Sequence, residues 1–226
     1  MNIGLIDVDS HNFPNLALMK LSAYHKERGD FVEMYQGLHN DPEFMYDKVY
    51  MSKVFDQTYT PDIPEPTNAR EIVKGGTGYG LDNKLPYEVE HIYPDYSLYY
   101  SPSDTAYGFL TRGCPRGCAF CHVAPKEGRH SYKVADLSEF WNGQKNIVLN
   151  DPNILACNEW PDLLDQLLIG ELAVPCPEGR AAVFAAGVLK QFFGKGFVHT
   201  AGIEHENTSL FVADVDLFKG SFALFA

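Results

Sequence analysis

The sequence carries one short segment in which closely spaced cysteines could hold a metal. Cys114, Cys118 and Cys121 are spaced C-x3-C-x2-C, and glycines and a proline between and before them favour tight backbone turns. Three thiolates this close repel one another unless a cation or cluster neutralises them. Iron–sulfur clusters are held by cysteine thiolates, commonly four of them. Three cysteines therefore predict a cluster with one iron left open; the alternative is a zinc site with His122 or a distant residue as a further ligand.

The segment resembles the signature of the radical S-adenosylmethionine (radical SAM) superfamily, CxxxCxxC with an aromatic residue before the last cysteine. Phe120 occupies the aromatic position, and Arg112, Gly113 and Ala119 are also typical. The resemblance implies that the three cysteines bind a [4Fe-4S] cluster. It also implies that the amino and carboxylate groups of S-adenosylmethionine chelate the fourth iron.

The resemblance further implies which residues meet adenosylmethionine. Phe120 would pack near the adenine. Polar residues at the end of the apolar run 146–150 would face the cofactor, namely Asn150, Asp151 and Asn153, although turn formation by Asp-Pro-Asn explains them equally well. The implied reaction is reductive cleavage of adenosylmethionine to a 5′-deoxyadenosyl radical, which abstracts hydrogen from a substrate. A flavodoxin or ferredoxin would be the reductant.

Composition disfavours several classes of protein. The chain has 226 residues, of which 45% are apolar and 13% aromatic, enough for a packed core. Its 30 acidic and 18 basic residues give a net charge of −12, which disfavours non-specific binding to nucleic acid or to an anionic membrane. No stretch is long enough to span a bilayer. Clustered cysteines without a signal-like start are typical of reduced, metal-binding thiols, so we expect a cytoplasmic protein.

Alternating apolar runs and helical patterns predict an α/β protein with two parts. Residues 1–85 are predicted to form a doubly wound, Rossmann-like parallel sheet domain, with a helix at 15–28 and strands at 3–8, 31–34, 48–51 and 71–74. Residues 86–105 are rich in Pro, Asp, Tyr and Ser and are predicted to form a linker. Residues 106–226 are predicted to form an abbreviated partial (β/α) barrel.

The first part has a resemblance of its own, to cobalamin-binding domains, which carry D-x-H-x-x-G, then S-x-L, then G-G. The corresponding segments here are 9–14, 52–54 and 75–76, with Pro14 in place of the glycine and Val54 in place of the leucine. The resemblance implies a degenerate cobalamin-binding fold in which the helix between the third and fourth strands is shortened or missing. It would place cobalamin against His11, Ser52, Gly75 and Gly76, with His11 as the lower cobalt ligand. The favoured alternative is that cobalamin is not bound and His11 is a loop residue capping a helix.

The glycine-rich loop 75–80 also satisfies a loose phosphate-binding pattern. A dinucleotide fingerprint requires such a loop after the first strand and at the start of a helix. Here the loop follows a late strand and leads into a segment with poor helix character. A turn or a cofactor-facing loop is therefore favoured over a nicotinamide site.

In the second part, a strand at 106–111 should deliver the cysteine loop at its carboxyl end, where barrel enzymes place their chemistry. A helix at 134–141, a strand at 146–150 and a helix at 159–168 should follow, and Cys157 and Cys176 are interpreted as buried thiols. From about residue 169 the family is not matched, because six βα units need roughly 180 residues. We therefore expect a radical SAM enzyme with a short core. The alternatives are a non-catalytic interaction or regulatory protein on that scaffold and a zinc-binding α/β protein.

Overall fold

The computed structural model describes residues 1–9, 13–35, 43–99, 104–173, 203–205 and 208–212. The chain divides into two compact units, Met1–Pro102 and Ser103–Ala226. Each unit contains a largely parallel sheet with helices between strands, so the predicted α/β fold class is confirmed. His11, Cys176 and most of the unmatched tail lie outside the described residues.

The first unit is built on a four-stranded parallel sheet with the order β2-β1-β3-β4. Its strands are β1 (Asn2–Asp7), β2 (Phe31–Met34), β3 (Lys48–Ser52) and β4 (Ile72–Gly75). All three strand pairs are parallel, and the register aligns Asp7 with Ser52 and Ser52 with Gly75. These three residues therefore form a row at the carboxyl edge of the sheet.

Helix α1 (Leu16–Glu27) covers one face of this sheet. The Asn15 side chain caps the helix by accepting a hydrogen bond from the Leu18 N–H, at 3.2 Å. Gly29, with a φ of 79°, follows the end of the helix. The apolar core on this face consists of Ile3, Leu5, Leu18, Leu21 and Val89.

The opposite face is covered by aromatic side chains from loops. Buried Tyr46 packs there with Ile6, Val8, Val49 and Met51, and half-buried aromatic residues surround this cluster. Residues 53–71, between β3 and β4, contain no helix, which agrees with the sequence-based expectation for this connection.

Residues 86–99 belong to the first unit and pack against α1. They contain α2 (Tyr87–Glu90) and a 3-10 helix, Tyr96–Leu98. Asp95 accepts hydrogen bonds from the Ser22 hydroxyl and the Lys26 ammonium, both at 2.6 Å. The first part of the segment expected to be a linker is therefore attached to α1 by side-chain hydrogen bonds.

The second unit has an open sheet of order β5-β8-β10-β9 in its described part. Strands β5, β8 and β10 are parallel, and β9 is antiparallel to β10. A separate antiparallel pair joins β6 to β7. The elements in chain order are β5 (Thr105–Gly108), β6 (Thr111–Arg112), α3 (Val123–Glu127), β7 (Tyr132–Lys133), β8 (Asn146–Leu149), α4 (Trp160–Ala173), β9 (Ile203–His205) and β10 (Thr208–Val212).

Two predicted elements of this unit are wrong in detail. The strand expected at 106–111 ends at Gly108, and Thr111 begins β6. The helix expected at 134–141 is a single 3-10 turn, Leu137–Glu139. The turn starts after Asp136, whose backbone N–H donates to the Glu139 carboxylate at 3.0 Å, and the chain turns again at Gly143, whose φ is 84°. The backbone N–H of Leu137 donates to the Gln166 side chain of α4 at 2.9 Å.

No described helix combines the length and the hydrophobicity needed to cross a membrane.

Candidate metal centre

The three predicted cluster ligands lie on one loop whose base is closed by β6 and β7. Arg112 of β6 pairs with Tyr132 of β7, and the intervening residues contain all three cysteines. Cys114 is buried, whereas Cys118 and Cys121 are half-buried, and all three are free thiols. The Cys121 N–H donates to the Cys118 carbonyl at 3.0 Å, which makes a tight turn just before α3. The sequence prediction that one loop presents three thiols is consistent with this arrangement.

Two glycines allow this loop to fold back on the segment before β7. Gly113 and Gly117 have φ values of 79° and 58°. A Cβ on Gly113 would overlap the His130 carbonyl, and a Cβ on Gly117 would lie 3.0 Å from the Arg129 guanidinium. The Arg129 cation therefore lies directly against the backbone between Cys114 and Cys118.

Glu127, at the end of α3, fixes the entry to the cysteine loop. Its carboxylate accepts from the Arg112 guanidinium at 2.8 Å and from the Gly113 N–H at 2.9 Å. The Arg112 guanidinium also lies 3.8 Å from the centroid of the Phe109 ring. No motif in the sequence pointed to Glu127, and the short helix that it ends was not predicted.

Asp151 is a second anchor of the same loop. Its side chain is buried and accepts hydrogen bonds from the backbone N–H of Leu110 at 3.0 Å, from the backbone N–H of Thr111, and from the Thr111 hydroxyl at 2.6 Å. Burial raises the pKa of Asp151 from its usual value to about 6. Asp151 therefore holds the chain between β5 and β6, and its predicted contact with adenosylmethionine stays a prediction.

The remaining predicted cofactor residues are in three different environments. The Asn153 side-chain amide lies 3.8 Å from the Cys114 sulfur, a weak N–H···S hydrogen bond. The backbone N–H of Asn150 donates to the Gly108 carbonyl at 2.9 Å. Phe120 is 72% exposed. The structure thus brings Asn153 to a cysteine and leaves Phe120 at the surface, and no observation tests their contact with adenosylmethionine.

The donor set fits an iron–sulfur cluster in its chemistry. Three free thiols share one loop, and Cys114, the first of them, is largely removed from water. The hydroxyl of Ser131, next to β7, is buried and has no hydrogen-bond partner among the described residues. Within the same described part of the chain, no three His, Cys, Asp or Glu side chains are already grouped as ligands of a metal ion.

The residues expected to contact cobalamin are engaged by other parts of the chain. The Ser52 hydroxyl accepts from the Asn15 amide at 2.9 Å, and the Gly75 carbonyl accepts from the Lys53 N–H at 3.0 Å. A Cβ on Gly76 would overlap the Lys53 backbone, so the two segments are in direct contact. Ser52, Gly75 and Gly76 thus have contacts within the chain, and their contact with cobalamin stays a prediction; His11 lies outside the described residues.

Comparison with known proteins gives one partial similarity. The chain is 31% identical over 101 residues to the ribosomal protein uS12 methylthiotransferase RimO of Cytophaga hutchinsonii. The match covers 41% of this chain and 22% of that protein, so the chain spans about a fifth of the length of this curated relative. No family model matches, and no solved structure matches either. The similarity supports a distant relationship to the radical SAM superfamily at most.

Proposed function

We propose that the chain binds a [4Fe-4S] cluster through Cys114, Cys118 and Cys121 and acts on S-adenosylmethionine as a radical SAM enzyme. The observation that carries this proposal is the cysteine loop, in which three free thiols with the superfamily's spacing are presented by one closed loop. The partial similarity to a methylthiotransferase supports the same class. A bound cluster would supply the electron that cleaves the C5′–S bond of adenosylmethionine.

The residues around the thiols would set the environment of the cluster. Cys114 is 8% exposed, so its sulfur would be shielded from water on the protein side. Arg129 lies against Gly117 and would offset part of the negative charge of the three thiolates. Because hydrogen bonds to ligand sulfurs tune the reduction potential of a cluster, the Asn153 amide would act on Cys114 in this way.

Asp151 and Glu127 would hold the loop in position from its two sides. Asp151 orders the backbone before the loop, and Glu127 joins its first residue to α3. These carboxylates do not need to touch the cofactor in order to matter for it. A ligand loop that is ordered in advance loses less conformational entropy when the metal binds.

The test is anaerobic reconstitution of the protein with iron and sulfide. We expect about four irons and four sulfides per chain, as the cluster composition requires, with the broad visible absorption of an iron–sulfur cluster. Cys114→Ala, Cys118→Ala and Cys121→Ala should each lose it. Cys157→Ala is the matched control. Cys157 is buried outside the loop, and its thiol donates a hydrogen bond to the Glu159 carboxylate at 3.1 Å. Zinc in place of iron, or a cluster that survives all three loop changes, would contradict the proposal.

Turnover is tested separately. Reduced, reconstituted protein is incubated with adenosylmethionine, and 5′-deoxyadenosine is measured. Sustained formation that disappears in the Cys118→Ala variant supports an enzyme. A fully assembled cluster that forms none would instead identify a non-catalytic protein on the same scaffold.

A further inference from the structure

A second group of charged residues lies at the carboxyl edge of the first unit's sheet, at the position where parallel sheets commonly bind ligands. Lys53 directly follows β3, and Lys74 lies near the end of the neighbouring strand β4. Their ammonium nitrogens are 5.5 Å and 5.4 Å from the centre of the Tyr79 ring. Two cations therefore flank one aromatic side chain at this edge.

Lys53 is unusual because its side chain is only 1% exposed. Removing an ammonium group from water is costly unless an anion pairs with it. The pairing anion is Asp62, whose carboxylate lies 2.6 Å from the Lys53 nitrogen and whose side chain is 46% exposed. The buried cation thus lies one side chain below the protein surface.

Lys74 is paired in the same way. Its nitrogen lies 2.7 Å from the Glu65 carboxylate, and the two side chains are 37% and 56% exposed. Asp62 and Glu65 belong to one segment, residues 62–65, which we call the acidic strap. Every residue of the acidic strap is exposed, and none is in a helix or strand. The acidic strap therefore reaches the two lysines with its carboxylates while burying no residue of its own.

The side chain of Tyr79 provides a further hydrogen-bond donor. Its hydroxyl is buried and has no hydrogen-bond partner among the described residues. An unpaired buried hydroxyl is unfavourable and is available to a ligand that brings an acceptor. The loop before Tyr79 is fixed, because the Gly78 N–H donates to the Lys53 carbonyl at 2.9 Å.

We propose that Lys53, Lys74 and Tyr79 form a binding site for a small dianion, either a phosphate monoester or a dicarboxylate, and that the acidic strap occupies this site when the dianion is absent. The two strap carboxylates have the charge that such a ligand would bring. Exchange of one anion for another keeps the buried Lys53 paired throughout. An exposed strap without regular structure is the kind of segment that opens locally at low cost. The inference does not depend on the proposed cluster.

The experiment measures binding of inorganic phosphate and of malonate to the full chain by isothermal titration calorimetry. Asp62→Asn combined with Glu65→Gln removes the competing carboxylates, so the dissociation constant of the bound dianion should fall about tenfold relative to the wild type, since the binding-competent fraction rises. Lys74→Met should weaken binding by a similar factor. Lys74 is partly exposed, so this variant retains the buried core; Lys53→Met is the more direct but more disruptive companion.

A matched control separates a site from a general effect of charge. Asp47→Asn combined with Glu71→Gln removes the same two charges at the opposite edge of the sheet, where these carboxylates pair with Arg70 and Lys48 at 2.7 Å and 3.0 Å. Its binding should equal that of the wild type. An equal gain in this control, no gain in the strap variant, or unchanged binding in Lys74→Met would overturn the proposal. Preference for phosphate over malonate identifies a phosphate ester, and the reverse identifies a dicarboxylate.

Discussion

The two units differ in which residues are hydrogen-bonded at the carboxyl ends of their parallel strands. In the first unit, Asp9, Ser52 and Lys53 are each bonded to other parts of the chain. In the second, carboxylates hold the loop backbone, while the three thiols have few partners of their own. The difference teaches that side chains at one sheet edge are already paired within the chain, whereas at the other the chain orders a loop around thiols. Among the described residues, the backbone supports of the cysteine loop are hydrogen-bonded, and Asn153 is the hydrogen-bond partner that its thiols have, through Cys114.

The largest expected effect is on the free energy of unfolding, when each of the two buried aspartates at these sheet edges, Asp151 and Asp9, is replaced by alanine. Asp151→Ala removes the acceptor of two backbone N–H groups and one hydroxyl, so the free energy of unfolding should fall by about 4 kcal/mol. Asp9→Ala removes the acceptor of the Val54 and Phe55 N–H groups and should cost about 2 kcal/mol. Urea denaturation measures both. Only Asp151→Ala should also reduce the iron bound after reconstitution, and equal iron loss in both variants would contradict the comparison.

The next effect is the pH dependence of stability that Asp151 confers. Burial raises the pKa of Asp151 from 3.8 to about 6. The folded state therefore holds this proton more tightly than the unfolded state. The associated stability is complete below about pH 4 and is lost as the pH rises through about 6, by about 3 kcal/mol in total.

Asp151→Asn removes this titration. The free energy of unfolding of the wild type should consequently fall relative to that of the variant across the same pH window. Urea denaturation at several pH values measures the difference, and a difference that does not change with pH would show that burial does not govern this carboxyl group.

A smaller effect is expected from a comparison of Gly29 and Gly113, two glycines that share a φ of 79°. Gly29→Ala meets no other atom and should cost only the unfavourable φ, about 1 kcal/mol. Gly113→Ala must also displace the His130 carbonyl and should cost about 2 kcal/mol more. Thermal unfolding and iron content together check this, with iron loss expected only for Gly113→Ala. Equal costs would mean that the loop base adapts freely.

The smallest effect concerns Asn153. Asn153→Leu removes the donor to the Cys114 sulfur and should lower the reduction potential of the assembled cluster. One hydrogen bond is worth about 1 kcal/mol, which corresponds to about 40 mV for a one-electron couple. Potentiometric titration followed by electron paramagnetic resonance measures it. Asn150→Leu is the control, and a shift of the same size there would remove the special role of Asn153.

Local patterns predicted the strands well because each is a short apolar run between turn residues. The four strands of the first unit and the helix α4 lie close to the predicted positions. The cysteine loop was also predicted, because its three cysteines lie close together in the sequence. The role of Asp151 in holding the backbone before the loop was not predicted, because its partners Leu110 and Thr111 are about 40 residues away in sequence. Nor did propensity reveal that the segment expected as a helix at 134–141 would form only one 3-10 turn, with Leu137 bonded to Gln166 of α4.

The closure of the cysteine loop by β6 and β7 has a consequence for the order of assembly. The base of the loop is made by hydrogen bonds between peptide groups, Glu127 and Asp151, and none of these bonds involves sulfur. The base of the loop would therefore fold before iron is inserted, and the three sulfurs, which are not grouped as metal ligands in the described residues, would come together around the iron. Chelation should strip iron without unravelling the chain, in contrast to small zinc domains that collapse when their ion is withdrawn.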